Sequence, residues 1–178
     1  ESARRETGLR AMFAGVIVEA RIDVARTPEE LFGFVADRYF ENVRLWDHDL
    51  IEVTPLDDGM MRLGARAIEL RRELAPKRGK RPMGRTLEVV VFDRPRELIL
   101  SGLDSHPAHE TYRTHWRFDP LGTRTRVRLR HEIRLPFPFV LGTPVVSLRY
   151  RFDFRRRLQR LRDAMEGQPA LSRDVVDH

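Results

Sequence analysis

The sequence predicts an α+β domain in which a curved antiparallel sheet of about seven strands wraps around a long C-terminal helix. Three observations predict it. Strand-like segments follow one another from Leu50 to Leu135, most of them joined by short turns, which is the connectivity of an antiparallel sheet. Helical signals fall outside that run, as two short helices after the first strand and one long helix near the end. The long helix, TPVVSLRYRFDFRRRLQRLRDAME from Thr143 to Glu166, carries an unbroken apolar stripe of Val146, Tyr150, Phe154, Leu158, Leu161 and Met165. A stripe of that length needs a broad apolar surface to lie on, and a one-sided sheet that curls supplies it.

Each element has its own local cause. Val16, Val18, Ala20, Ile22 and Val24 alternate with Glu19, Arg21 and Asp23, the pattern of a half-buried first strand. Thr27-Pro28-Glu29-Glu30 is a capping box with proline at the first helical position, and Leu31, Phe34 and Val35 give its helix an apolar face. Asp37 to Trp46 continues as a second short helix with Tyr39, Phe40, Val43, Leu45 and Trp46 as apolar members. Strands are expected at Leu50–Thr54, Arg62–Arg72, Arg85–Phe92, Glu97–Gly102, Glu110–Phe118 and Thr123–Leu135, with turns at Asp57-Asp58-Gly59, Asp93-Arg94-Pro95 and Asp119-Pro120-Leu121-Gly122. In the last strand Thr125, Val127, Leu129, His131, Ile133 and Leu135 alternate with Arg124, Arg126, Arg128, Arg130 and Arg134, so the arginine face is wet. Thr143 caps the long helix, Pro144 suits its first turn, and Gly167 with Pro169 stops it. The domain therefore spans residues 16–167, with 1–15 as an N-terminal extension and 168–178 as a polar tail.

Bulk properties narrow the function classes. The chain of 178 residues is long enough for one domain with a real core. No run approaches the roughly 20 apolar residues of a membrane-spanning helix, and the polar first fifteen residues hold no secretory apolar core, so the cytoplasm is the expected compartment. The absence of cysteine excludes disulfides and thiolate chemistry. The net charge of +6 is concentrated at RRELAPKRGKRPMGR, Arg71 to Arg85, where seven basic residues face a single Glu73. Such a run is either a solvated hairpin tip or a surface for nucleic acid, anionic lipid or an acidic ligand. The arginines of the outer sheet face lack interleaved aromatics, which ranks nucleic acid last among the partners, while peripheral membrane contact stays open.

The order of motifs resembles the START-like (SRPBCC) superfamily, in its polyketide cyclase/dehydrase and lipid-transport branch. The matching stretches are VEARIDVARTPEELFGFVAD (Val18 to Asp37), Trp46 at the end of the second helix, Gly64 on an early strand, VVVFDRPRELILSG (Val89 to Gly102) and LQRLRDAMEG (Leu158 to Gly167). The resemblance implies a helix-grip fold, with the sheet gripping the C-terminal helix around a hydrophobic cavity. It also implies binding of lipids, sterols, polyketides or other apolar molecules, with enzymatic activity in only some members. The leading expectation is binding or carriage of a small hydrophobic ligand without a cofactor, the ligand carboxylated if the basic run lies near one end of the sheet. The alternative is an enzyme of the polyketide cyclase/aromatase type.

Candidate site residues come from the inner face of the sheet. If Asp119 to Gly122 closes a hairpin with Phe118 opposite Thr123, then Trp116 faces Thr125, Thr114 faces Val127, Tyr112 faces Leu129 and Glu110 faces His131. In a water-poor pocket Glu110 and His131 would serve as base and orienter, with Tyr112 as proton donor, for removal of a proton next to a carbonyl. The same residues equally form a satisfied buried polar pair with no reaction to catalyse. Trp46, Tyr112, Thr114, Trp116, His131, Tyr150 and Phe154 are the expected ligand contacts. His106-x-x-His109-Glu110 and Asp47-His48-Asp49 lack the spacing of metal ligands, and no nucleotide or nucleophile motif is present. Val145, Leu148 and Phe152 form a second apolar stripe on the long helix, expected to be covered by Leu9 to Phe13 or by a second copy of the chain as a homodimer.

Overall fold

A computed structural model describes residues 13–72, 84–103, 110–136 and 143–167. Seven strands, β1 (Phe13–Val24), β2 (Leu50–Pro55), β3 (Arg66–Arg71), β4 (Arg85–Asp93), β5 (Glu97–Leu103), β6 (Glu110–Leu121) and β7 (Arg124–Pro136), form one antiparallel sheet in the order β1-β7-β6-β5-β4-β3-β2. Between β1 and β2 lie α1 (Pro28–Phe32), a π-helical turn (Gly33–Asp37) and α2 (Tyr39–Trp46); α3 (Thr143–Glu166) follows β7. This is the expected helix-grip architecture. No helix among the described residues is long and apolar enough to cross a membrane.

The capping box at α1 is formed in both directions: Glu30 N–H donates to Thr27 Oγ1 at 3.3 Å, and Thr27 N–H donates to Glu30 Oε2 at 2.9 Å. The π-helical turn frees the Phe34 carbonyl, which accepts from Asn42 Nδ2 at 3.0 Å. Register shifts leave an extra residue in β2, β4 and β6, irregularities of the kind that bend a sheet. At the far end of the chain, Glu166 Oε1 accepts from Ala25 N–H at 3.0 Å and ties the end of α3 to the end of β1.

The inner face divides into two zones. One is packed solid: Phe32 meets Phe92 and Phe118 edge-on, with centroids 5.2 and 5.8 Å apart, beside buried Leu31, Leu98 and Val127. Of the predicted stripe, Phe154, Leu158, Leu161 and Met165 of α3 are buried and Tyr150 packs against the same core, while the side chain of Val146 lies outside the described residues. The other zone, beneath the N-terminal half of α3, is not filled. Leu148 and Phe152, on the opposite side of α3, are each more than half exposed; the side chains of Val145 and of residues 9–13 lie outside the described residues.

Two expectations are corrected here. The β6–β7 hairpin does not turn at Asp119–Gly122. Both strands run further, Leu121 pairs with Arg124, and Gly122 takes the positive φ of 60° that a two-residue turn requires. Pro120 is tolerated within β6, so the register moves by four residues and Thr114, not Glu110, sits opposite His131. The strand expected from Arg62 starts at Arg66, because Gly64 adopts a φ of 80° before it.

Truncating wholly buried Leu161 on α3 to alanine is expected to cost about 2–5 kcal/mol in urea unfolding, a cavity cost that a merely surface-lying helix would not show.

Candidate functional site

The unfilled zone is a cavity of about 380 Å³ between the concave sheet, α2 and α3. All seven expected ligand contacts, Trp46, Tyr112, Thr114, Trp116, His131, Tyr150 and Phe154, line it. Trp46 and Trp116 pair edge-on at 6.2 Å in its wall, and Leu87, Leu100, Leu129 and Ile133 add aliphatic wall. Of the three residues expected to act together in catalysis, Tyr112 and His131 come together with ring centroids 5.1 Å apart. Glu110 pairs through its backbone with Leu103, and its side chain lies outside the described residues, as do His106 and His109.

The opposite wall is polar, and it contains residues that no pattern in the sequence singled out. Glu69, buried on β3, accepts four hydrogen bonds: from Tyr39 Oη at 3.0 Å, Tyr112 Oη at 2.9 Å, Arg71 Nε at 3.0 Å and Arg71 Nη2 at 3.4 Å. Arg71 also reaches Asp47 Oδ2 at 2.9 Å, and Arg157 of α3 meets the same oxygen at 3.0 Å. Arg157 extends to Asp49 at the rim, 3.4 Å away. Opposite charges thus alternate along the chain Glu69–Arg71–Asp47–Arg157–Asp49. Asp47 Oδ1 and Arg157 Nε are buried with no hydrogen-bond partner among the described residues, an acceptor and a donor left over on the wall.

Close packing fixes this wall. Gly102 pairs with Tyr112, and a Cβ at Gly102 would fall 2.0 Å from the Tyr112 ring, so only glycine lets the phenol lie across β5 and reach Glu69. The basic run is also placed differently from a solvated tip at its ends. Arg71 is a strand residue inside the network, its side chain only 11% exposed, and Arg85 lines the cavity with its guanidinium carbon 5.0 Å from the centre of the Tyr112 ring. Residues 73–83 lie outside the described residues.

The electrostatics follow. Burial, then the positive charges of Arg157, Arg71 and Arg85, lower the His131 imidazole to about 3, so the ring is neutral at neutral pH. Its Nδ1 lies 2.8 Å from Thr114 Oγ1. Burial and the Glu69 charge raise the Tyr112 phenol, and likewise Tyr39, so both hydroxyls keep their protons and donate them to Glu69. Burial alone would raise the Asp47 carboxyl, but the Arg71 and Arg157 guanidinium groups outweigh it and hold it below the ordinary carboxylate range. Among the described residues no group of His, Asp or Glu side chains is arranged to hold a metal ion. Asp47 and Asp49 are engaged with arginines instead.

A family profile described as polyketide cyclase/dehydrase and lipid transport matches residues 15–166. The chain belongs to this family. Solved structures agree on the START-like fold of the polyketide cyclase/dehydrase and lipid transport family. Norcoclaurine synthase from Thalictrum flavum, in complex with dopamine and hydroxybenzaldehyde, is similar with a TM-score of 0.65 at 9% identity, over 90% of this chain and 92% of that one. A protein of unknown function from Staphylococcus aureus, SA2116, gives 0.64 at 10% identity over 88% and 97%. The KanY protein gives 0.62 at 18% identity over 86% and 99%. No curated protein matches the sequence.

Two outcomes test the polar wall. Arg71→Met leaves Glu69 and Asp47 without their shared cation, and urea unfolding is expected to show a loss of about 3–5 kcal/mol. His131 contributes a pH dependence of known sign. Its folded value lies below its free value of 6.5, so the unfolded chain takes up the proton first as pH falls. The stability owed to the neutral ring is complete above pH 6.5 and is lost as pH drops toward about 3. His131→Gln should flatten the stability-versus-pH slope in that window by up to about 1.4 kcal/mol per pH unit, the limit for one proton; equal slopes would place the ring in water.

Proposed function

We propose that this family member binds or carries a small, largely apolar molecule in the cavity beneath α3. The observation that carries this reading is the cavity itself: about 380 Å³ of space with an aromatic and aliphatic wall facing a rigid hydrogen-bonding wall. That volume falls in the range of small-molecule sites, roughly 300–1,000 Å³, and the two-sided lining fits a ligand with an apolar body and a few polar atoms. Membership of a family whose description includes lipid transport supports it, as does a structural relative crystallised with two small aromatic molecules.

A polyketide cyclase-type reaction is the second reading, favoured by a neutral His131 beside Tyr112. Two features favour binding over it. An imidazole whose conjugate acid lies near 3 is a weak proton acceptor at neutral pH, and the Tyr112 hydroxyl proton is already committed to Glu69.

Native mass spectrometry on protein purified gently from its own host should show a one-to-one adduct of an apolar molecule. Ile133→Trp, which fills the cavity from β7, should lose that adduct while its far-UV circular dichroism is unchanged. An adduct retained by this variant would place the ligand outside the cavity. Recovery of a chemically altered ligand after incubation would instead favour the cyclase reading.

A further inference from the structure

The charged side chains lining the cavity do not balance. Among the described residues they are Asp47, Glu69, Arg71, Arg157 and Arg85. The first four neutralise one another through direct ion pairs: Arg71 with Glu69 and Asp47, Arg157 with Asp47. Asp49, which also meets Arg157, is about half exposed at the rim and screened by solvent. Arg85 is the cation left over.

Its isolation has a structural cause. Glu69 is the direct cross-strand partner of Arg85 in the β3–β4 register, and an ion pair between them would be the ordinary outcome. The Glu69 carboxylate is instead saturated by Tyr39, Tyr112 and Arg71. The Arg85 guanidinium turns onto the face of the Tyr112 ring, and no described carboxylate pairs with it. A guanidinium stacked on an aromatic face keeps its N–H edge free, which is the geometry that receives a carboxylate or sulfonate with two parallel hydrogen bonds. Gly102, by giving the Tyr112 ring its seat, also sets the platform on which Arg85 rests.

We propose that Arg85 is the anion receptor of the cavity, so that the ligand class is an amphipathic organic acid. Its oxyanion is held by the Arg85 guanidinium over Tyr112, and its apolar body lies against Leu100, Ile133, Tyr150 and Phe154. This rests on the cavity-binding reading and specifies its ligand.

The test uses two fluorescent probes with the same apolar body, the anionic 1-anilinonaphthalene-8-sulfonate and the neutral N-phenyl-1-naphthylamine. They are titrated into the full chain and into Arg85→Gln, Arg21→Gln and Ile133→Trp. Arg21 is exposed on β1, so its variant makes the same change of net charge away from the cavity. The expected result is that Arg85→Gln weakens the sulfonate probe by about tenfold to a hundredfold, leaves the neutral probe unchanged, and that Arg21→Gln changes neither ratio. Retained binding of the neutral probe also shows that Arg85→Gln is folded. A sulfonate preference that survives Arg85→Gln, or falls equally in Arg21→Gln, overturns the anion receptor and leaves the cavity reading standing. Binding of neither probe, or binding of both undiminished by Ile133→Trp, overturns the cavity reading and the anion receptor with it.

Discussion

Glu69 is the buried charge to which the rest of the site is attached. A carboxylate taken out of water is stable only if its oxygens are satisfied, and here the donors come from three different elements: Tyr39 of α2, Arg71 of β3 itself and Tyr112 of β6. Arg71 carries the constraint on to Asp47 after α2, and Asp47 carries it to Arg157 of α3. A single desolvated charge therefore positions α2, the middle of the sheet and the long helix relative to one another. The cavity lies where these elements would otherwise close up, because the polar wall holds them at a fixed distance that no side chain fills.

The same network sets which polar groups face the cavity. Because Tyr39, Tyr112 and Arg71 occupy Glu69, neither phenol is free to act as an acid toward a ligand, and Arg85 is released from its natural cross-strand partner. Burial, reinforced by the three arginines around it, keeps the His131 ring neutral and weakly basic. These features underlie the proposed reading of a recognition surface over a proton-transfer apparatus. The solid zone around Phe32, Phe92 and Phe118 supplies the cohesion, so the cavity wall is free to carry polar groups.

The fold was legible because its signals are local. The capping box at Thr27, the alternation of β1 and β7, and the stripe on α3 each depend on neighbours within a few residues, and each appears as read. The aromatic half of the cavity followed from the same alternation, since Tyr112, Trp116, Leu129 and His131 share one face by parity alone. Register was not legible. A four-residue slip along β6–β7 preserves parity, so it moves no side chain to the other face while replacing Glu110 by Thr114 opposite His131. Gly122 and the tolerated Pro120 chose between these registers, and both sit in a stretch that reads equally well as a longer turn.

β3 shows where local pattern misleads. In Arg66-Ala67-Ile68-Glu69-Leu70-Arg71 the apolar Ile68 and Leu70 look like the inward pair, yet Ile68 is exposed while Ala67 and Glu69 are buried. Pairing with β4 sets that face, Ala67 against Leu87 and Glu69 against Arg85, and only partners distant in sequence can satisfy a buried carboxylate. The sequence by itself determined the element order, the antiparallel sheet, the gripped helix and the family, since periodicity, caps and turns act within a few residues. Only the tertiary structure decided the polar wall and left Arg85 without a carboxylate partner among the described residues, because the burial of a charge is stable or not according to donors that converge from three separate parts of the chain.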